Sequence, residues 1–217
     1  MAEHAGAVRR REDPRLITGA GEFVDDLRVP GCLHAAMLRS PHAHARIRAI
    51  DVAAARRLPG VVGVYVAADL GPAGAPIPIY APHPALPVPC KIMPLAAERV
   101  RFVGEAVAVV IAEDVYRAWD ALDLIRVEYE PLPAVVDVEA ALAPGAPILF
   151  EEVGSNVVAE WRQRVGDVDE ALRTAPVTVR ARVRLARGGA HPLEPRSLVA
   201  QWKDARLTVW GAVQMVH

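Results

Sequence analysis

One stretch, Glu98–Pro133 (ERVRFVGEAVAVVIAEDVYRAWDALDLIRVEYEPLP), constrains the fold more than any other part of the chain. From Phe102 to Ala112 it is apolar apart from Glu105 and rich in Val and Ile, which suits a strand covered on both faces. Gly104 interrupts that run and predicts a bulge or a close backbone approach. Asp114 is placed to cap a helix, accepting hydrogen bonds from the free N–H groups of its first turn. Val115, Ala118, Trp119, Leu122 and Ile125 follow at helical spacing and predict one apolar face, with Trp119 opposite the strand. Val127 and Tyr129 resume an alternating pattern that Pro131 and Pro133 end. The pattern is strand–helix–strand, and the first domain is expected to pack on its sheet.

The chain has 217 residues, 53% hydrophobic and 24% charged, enough to bury a sizeable core. A net charge of -1, with no zinc-finger spacing and no basic run, argues against a nucleic-acid partner. Two cysteines, Cys32 and Cys90, point to a reducing compartment. No apolar stretch is long enough to form a membrane span, and MAEHAGAVRRRED lacks the apolar core of a secretory signal. A cytoplasmic protein is expected.

Read in order, residues 1–14 are polar and basic and predict a flexible arm. The Gly19-Ala20-Gly21 triplet lacks both the third glycine and the apolar helix of a dinucleotide fingerprint, so it reads as a loop. Strands are predicted at Cys32–Leu38, Ala45–Ile50 and Val61–Val66, with a short helix from Asp51 that Pro59-Gly60 stops. Gly71–Pro94 is too proline-rich for helix and reads as an extended excursion, either a stiff loop or a docking segment. Val138–Leu142 allows one helical turn, and turn residues around 143–145 place a domain boundary near residue 145. Beyond it, Asp167 caps a helix, and strands are predicted at Val177–Leu185, Ser197–Trp202 and Leu207–Val213. One helix and three strands are too few to close a core comfortably, so this end is expected to be incomplete or to need a partner.

Two groups of polar residues invite a chemical reading. His42-x-His44, with His34 on another element, has the spacing of a pair of metal ligands. No Asp, Glu or Cys is placed as a third ligand, so hydrogen bonding to backbone at a strand junction is expected instead. Glu194 and Arg196 lie two apart on a presumed strand near His191, and a fold-stabilising ion pair is expected.

Several separated motifs, in order, resemble one family. They are GAGEFVDDLRVPGCLHAAMLRSPHAHARI, ERVRFVGEAVAVVIAED and DALDLIRVEYEPLPAVVD, then GDVDEAL, HPLEPRSLVAQW and RLTVWGAVQMVH. They are similar to the N-terminal region of the large, molybdopterin-binding subunits of the xanthine dehydrogenase, aldehyde oxidase and carbon monoxide dehydrogenase family. The resemblance implies an α+β fold: an α/β hammerhead domain at 15–145, then at 146–217 the first helix and strands of an incomplete molybdopterin-binding domain.

It further implies the N-terminal portion of a molybdenum hydroxylase-type oxidoreductase acting on aldehydes, N-heterocycles or carbon monoxide. Molybdopterin would sit in the complete subunit, with FAD and 2Fe-2S clusters on flavin and iron–sulfur partner subunits. This chain alone is expected to hold no cofactor. The family's general-base glutamate and its glycine-rich loop lie downstream of the matched region, so no residue here is assigned a catalytic or metal-binding role. Relatives often carry a glutamine near the metal's oxo group where this chain has Gly188, followed by Gly189; Gln214 matches a cofactor-approaching Thr-Gln position. Gly188, Gly189 and Gln214 are the expected cofactor contacts. The competing expectations are a non-catalytic scaffold that docks other subunits, and one half of a split large subunit whose partner chain carries the remaining molybdopterin domain.

Overall fold

The computed structural model describes residues 10–78, 90–186, 188–189 and 191–213. Helices and antiparallel strands are mixed, an α+β arrangement. In chain order the elements are α1 (Asp13–Ile17), a 3-10 turn (Val24–Asp26), β1 (His34–Arg39), β2 (Ala45–Asp51), α2 (Ala53–Arg56) and β3 (Val61–Val66). They continue with β4 (Arg99–Val100), β5 (Ala106–Ala112), α3 (Val115–Asp123), β6 (Arg126–Pro131), α4 (Val168–Thr174), β7 (Leu198–Lys203) and β8 (Arg206–Gly211). The chain divides into two compact units, Cys32–Pro176 and the pair of segments Met1–Gly31 and Val177–His217.

The unit Cys32–Pro176 holds two three-stranded antiparallel sheets, ordered β1-β5-β3 and β4-β2-β6. The predicted strand–helix–strand pattern is present, but β5 and β6 belong to different sheets. The predicted strand from Phe102 begins only at Ala106, because Arg101–Glu105 makes a turn. Gly104 takes φ +93 there, a left-handed conformation that glycine reaches without a Cβ clash. Its N–H donates to the Ser40 carbonyl at 2.8 Å.

Helix α3 starts as its sequence dictates. Asp114 Oδ1 accepts from the Arg117 N–H at 2.9 Å. That bond, then the Arg117 guanidinium and more weakly His34, hold the Asp114 carboxyl below its usual range. Ala118, Ala121, Leu122 and Ile125 are buried against Ala36, Val64, Ala108, Val110 and Ala112. Trp119 is not part of this core: it is 62% exposed, and Val115 is 41% exposed. At about 100° per residue, Trp119 falls roughly 60° beyond Leu122, outside the stripe that residues 118, 121, 122 and 125 define. A second core joins Ala45, Ala96, Val100 and Val107.

His44 is buried, and its Nδ1–H donates to the Pro133 carbonyl at 2.8 Å, while His42 packs its ring 4.8 Å from that of Tyr129. Two of the three histidines thus sit at the strand junction, His44 with the bond to backbone expected there, and no group that could hold a metal occurs among the described residues. Cys32 and Cys90 are free thiols, and no helix among the described residues is long and apolar enough to cross a membrane. Most of the proline-rich excursion, residues 79–89, lies outside the described residues. Flanking it, the Ile77 N–H donates to the Ile92 carbonyl at 2.8 Å.

In the other unit, β7 and β8 form a hairpin with Lys203 paired to Arg206. Asp204 (φ 50) and Ala205 (φ 58) are both left-handed, as a two-residue turn between right-twisted strands requires. The strand predicted at Val177–Leu185 does not form: the segment has no regular structure, and Val177, Val179, Val183 and Leu185 are all exposed. Alternation of Val with Arg makes a strand possible, but a strand also needs a neighbour for its ladder.

The placement of α3 predicts opposite outcomes at two adjacent turns. Leu122→Ala, which opens a cavity beneath the helix, should cost about 2–5 kcal/mol. Trp119→Ala should change stability by only about 0.5 kcal/mol, as expected for an exposed site. Urea midpoints of the two variants check this; equal shifts would contradict the observed helix face.

Candidate functional site

Two of the three residues singled out by sequence, Gly188 and Gly189, lie in the coil between α4 and β7. Gly188 and Gly189 are both exposed. A Cβ added at Gly188 would meet nothing within 4 Å, and one at Gly189 only His191 Nε2 at 3.9 Å. Gln214 lies outside the described residues. His191 takes φ 44, a left-handed conformation unusual for a side chain other than Gly, Asn or Asp, and so turns the coil just after the glycines.

Glu194 is half-buried, and its partner is not Arg196. Its Oε1 accepts from the Val24 N–H at 2.8 Å and from the Ser197 hydroxyl at 3.3 Å. The expected Glu194–Arg196 ion pair does not occur among the described residues, because the strand that would align the two begins only at Leu198. A carboxylate that accepts a main-chain N–H satisfies the donor left free at the start of the Val24–Asp26 turn. Phe23 N–H, beside it, donates to Asp26 Oδ2 at 2.9 Å. Glu194 therefore ties the early Phe23–Asp26 turn to the late coil that follows Gly188-Gly189. Nothing in sequence spacing announces a bond between residues so far apart.

Measured against the molybdopterin that the family resemblance implies, the described residues do not form a holder. The two glycines leave open space, not an enclosed cradle, and no orphaned buried polar atom points at them. They present exposed backbone, and no chemical step follows from them.

A second candidate lies in the unit Cys32–Pro176. A cleft of about 210 Å³ is lined by Lys91, Arg99 and Arg101 together with Glu98, Glu105 and Glu152. Its two arginines are already engaged. Arg99 pairs with Glu151 at 2.9 Å, while Arg101 donates to the Leu149 carbonyl at 3.0 Å and stacks 4.6 Å from the Phe150 ring centroid. Glu105, the one charge in the predicted apolar run, is 7% exposed and accepts from the Arg101 N–H at 2.5 Å. Burial pushes its carboxyl above the usual range, more than that N–H and the Arg101 charge pull it down. The arrangement braces the 101–105 turn.

Two measurements follow from these carboxylates. Glu194→Ala should speed hydrogen exchange at the Val24 amide and cost about 1 kcal/mol, the net worth of one hydrogen bond; unchanged exchange there would contradict the tether. For Glu105, the folded state holds its proton to higher pH than the unfolded chain does. Stability therefore falls as pH rises from the ordinary carboxylate range through the raised value. Glu105→Gln keeps an acceptor for the Arg101 N–H but cannot titrate, so thermal melts across that window should lose this downward slope.

Comparison with known proteins sets these observations in context. Residues 18–133 match the model for the aldehyde oxidase and xanthine dehydrogenase a/b hammerhead domain, and residues 149–217 match that for a molybdopterin cofactor-binding domain. The chain is 41% identical over 213 residues to the nicotine 6-hydroxylase large subunit of Paenarthrobacter nicotinovorans, covering 97% of this chain and 26% of that one. It is 38% identical over 228 residues to the carbon monoxide dehydrogenase large chain of Afipia carboxidovorans, covering 98% and 27% respectively. Quinoline 2-oxidoreductase from Pseudomonas putida 86 superposes with a TM-score of 0.84 at 42% identity, over 96% of this chain and 26% of that one. The chain thus spans about a quarter of the length of these relatives.

Proposed function

Because this chain belongs to the aldehyde oxidase and xanthine dehydrogenase family, we propose that it supplies the N-terminal portion of the molybdenum-cofactor subunit of a hydroxylase-type oxidoreductase. The observation that carries this is the order of the two matched regions, hammerhead at 18–133 and cofactor-binding at 149–217, along one chain. We place the domain boundary near residue 145, giving a hammerhead at 15–145 and the opening of the cofactor domain at 146–217, with residues 1–14 as an arm.

The substrate class is an aldehyde, an N-heterocycle or carbon monoxide, and the setting is the cytoplasm. The two free thiols, Cys32 and Cys90, support a reducing compartment. Molybdopterin would supply the redox chemistry when bound. The contribution of this chain would be positional: the Gly188-Gly189 coil, turned by His191 and tied to Val24 by Glu194, would border the cofactor, with Gln214, outside the described residues, as the further expected contact. The residues that enclose it belong to the additional length that the relatives possess. FAD and 2Fe-2S clusters belong to partner subunits, in keeping with relatives such as the 6-hydroxypseudooxynicotine dehydrogenase complex subunit gamma.

Expressed where cofactor synthesis is active, the 217-residue chain should purify without stoichiometric molybdenum. A chimaera in which residues 18–213 replace the matched stretch of the quinoline 2-oxidoreductase chain should load molybdenum. Metal analysis of both proteins decides the matter. A folded chimaera without molybdenum would overturn the reading, and stoichiometric metal in the short chain would overturn the positional role.

A further inference from the structure

The unit made of Met1–Gly31 and Val177–His217 draws its residues from both ends of the chain, with Cys32–Pro176 lying between them in sequence. One residue, Ser197, links its parts. The Ser197 carbonyl accepts the Ala212 N–H at 3.1 Å, just beyond the open end of the β7–β8 hairpin. The Ser197 hydroxyl donates to Glu194 Oε1 at 3.3 Å, and the same oxygen accepts the Val24 N–H at 2.8 Å. Ala212 stands two positions before Gln214, and Glu194 follows Gly188-Gly189 in the same coil. The two stretches expected to border the cofactor are therefore anchored at a single hydrogen-bonded node.

The far end of the node is a locked turn. The Phe23 N–H donates to Asp26 Oδ2 at 2.9 Å, the Asp26 N–H to the Phe23 carbonyl at 3.0 Å, and the Leu27 N–H to the Val24 carbonyl at 3.2 Å. The Val24 N–H is the first of that 3-10 turn, so the turn itself offers it no acceptor. A carboxylate supplies a strong one, and its oxygen has lone pairs enough to take the Ser197 hydroxyl as well. The coil on the other side of the node has no such order of its own. Two adjacent glycines lose the most backbone entropy on being fixed, and a Cβ at Gly188 would meet nothing within 4 Å. Its position depends on its anchors, and Glu194 is one of them.

We propose that Glu194 is a positioning residue of the cofactor-binding unit, which holds Gly188-Gly189 and the approach to Gln214 together against the Phe23–Asp26 turn. The segment before Cys32 is then a strap of that unit, although the family match counts its residues from 18 onward with the hammerhead. Glu194 acts here through backbone and through Ser197, and it touches no cofactor itself. The consequence for the cofactor rests on the reading that these stretches border molybdopterin, whereas the strap stands on its own bonds.

Val24→Pro tests the strap at its donor. Val24 opens the turn, and Phe23 before it is extended at φ -102, ψ 164, so proline fits the backbone while deleting the N–H. In the 217-residue chain, Val24→Pro and Glu194→Ala should each speed hydrogen exchange at the Ala212 amide by roughly tenfold, as the loss of one charge-assisted hydrogen bond would. Glu194→Gln keeps an acceptor oxygen and should stay near the parent rate. Exchange at the Leu122 amide, in the other unit, should not move in any of the three. In the chimaera with the quinoline 2-oxidoreductase chain, the first two variants should lose bound molybdenum severalfold, and Glu194→Gln should keep it. Glu194→Ala decides alone if the proline variant fails to fold. An Ala212 amide indifferent to the first two variants overturns the proposal, as does full molybdenum in both, or a Glu194→Gln variant that behaves as Glu194→Ala does. If the parent chimaera folds without molybdenum, the cofactor reading falls, and the exchange rates still decide the strap.

Discussion

The burial of β5 on both faces is the constraint on which the rest of the larger unit depends. Its alternation sends Ala108, Val110 and Ala112 into the core beneath α3, and Val107 into the core of the other sheet. A strand shared in this way cannot carry charge along its length, which is why the run is Val, Ile and Ala. It also cannot slip by one residue, since a slip would exchange the contents of both cores. Helix α3, capped at Asp114, is held over the sheet by this fixed register, and β1 and β3 pair to either side of it.

Where β5 begins, polar bonds replace packing. Gly104 in its left-handed conformation, the Ser40 carbonyl and the Glu105 carboxylate close the turn that launches the strand. Glu105 is buried there although its ionised form is disfavoured, because its oxygen satisfies the main-chain N–H of Arg101. In the other unit Glu194 plays a comparable part, accepting the Val24 N–H. Both carboxylates act on backbone, and each fixes a turn beside which a strand or coil is then placed. This supports the positional role proposed for the coil around Gly188 and Gly189.

Local signals were legible where the physics is local. The caps at Asp114 and Asp167, the strands Ala45–Asp51 and Val61–Val66, and the 3-10 turn at Ala140–Leu142 all follow from neighbouring residues. The errors arose where a distant partner decides. Trp119 has helical spacing with Val115 and Leu122, yet the sheet accepts only the narrower stripe through Ala118, Ala121, Leu122 and Ile125. Val177–Leu185 alternates as a strand should, but no strand among the described residues pairs with it. Glu194 and Arg196 would share a face only if the strand began before them, and it begins at Leu198.

Neighbouring residues along the chain set most of the element types, the caps, the turns at glycine and proline, and the order of two family regions. Each of these depends on residues within a few positions of one another, or on motifs that keep their order. Long-range packing alone decides that β5 and β6 part into separate sheets and that Glu194 finds Val24. Those outcomes are contests between distant groups for the same hydrogen bonds and the same apolar surface. They are settled by which partners the whole chain brings within reach, and no local pattern of residues encodes that.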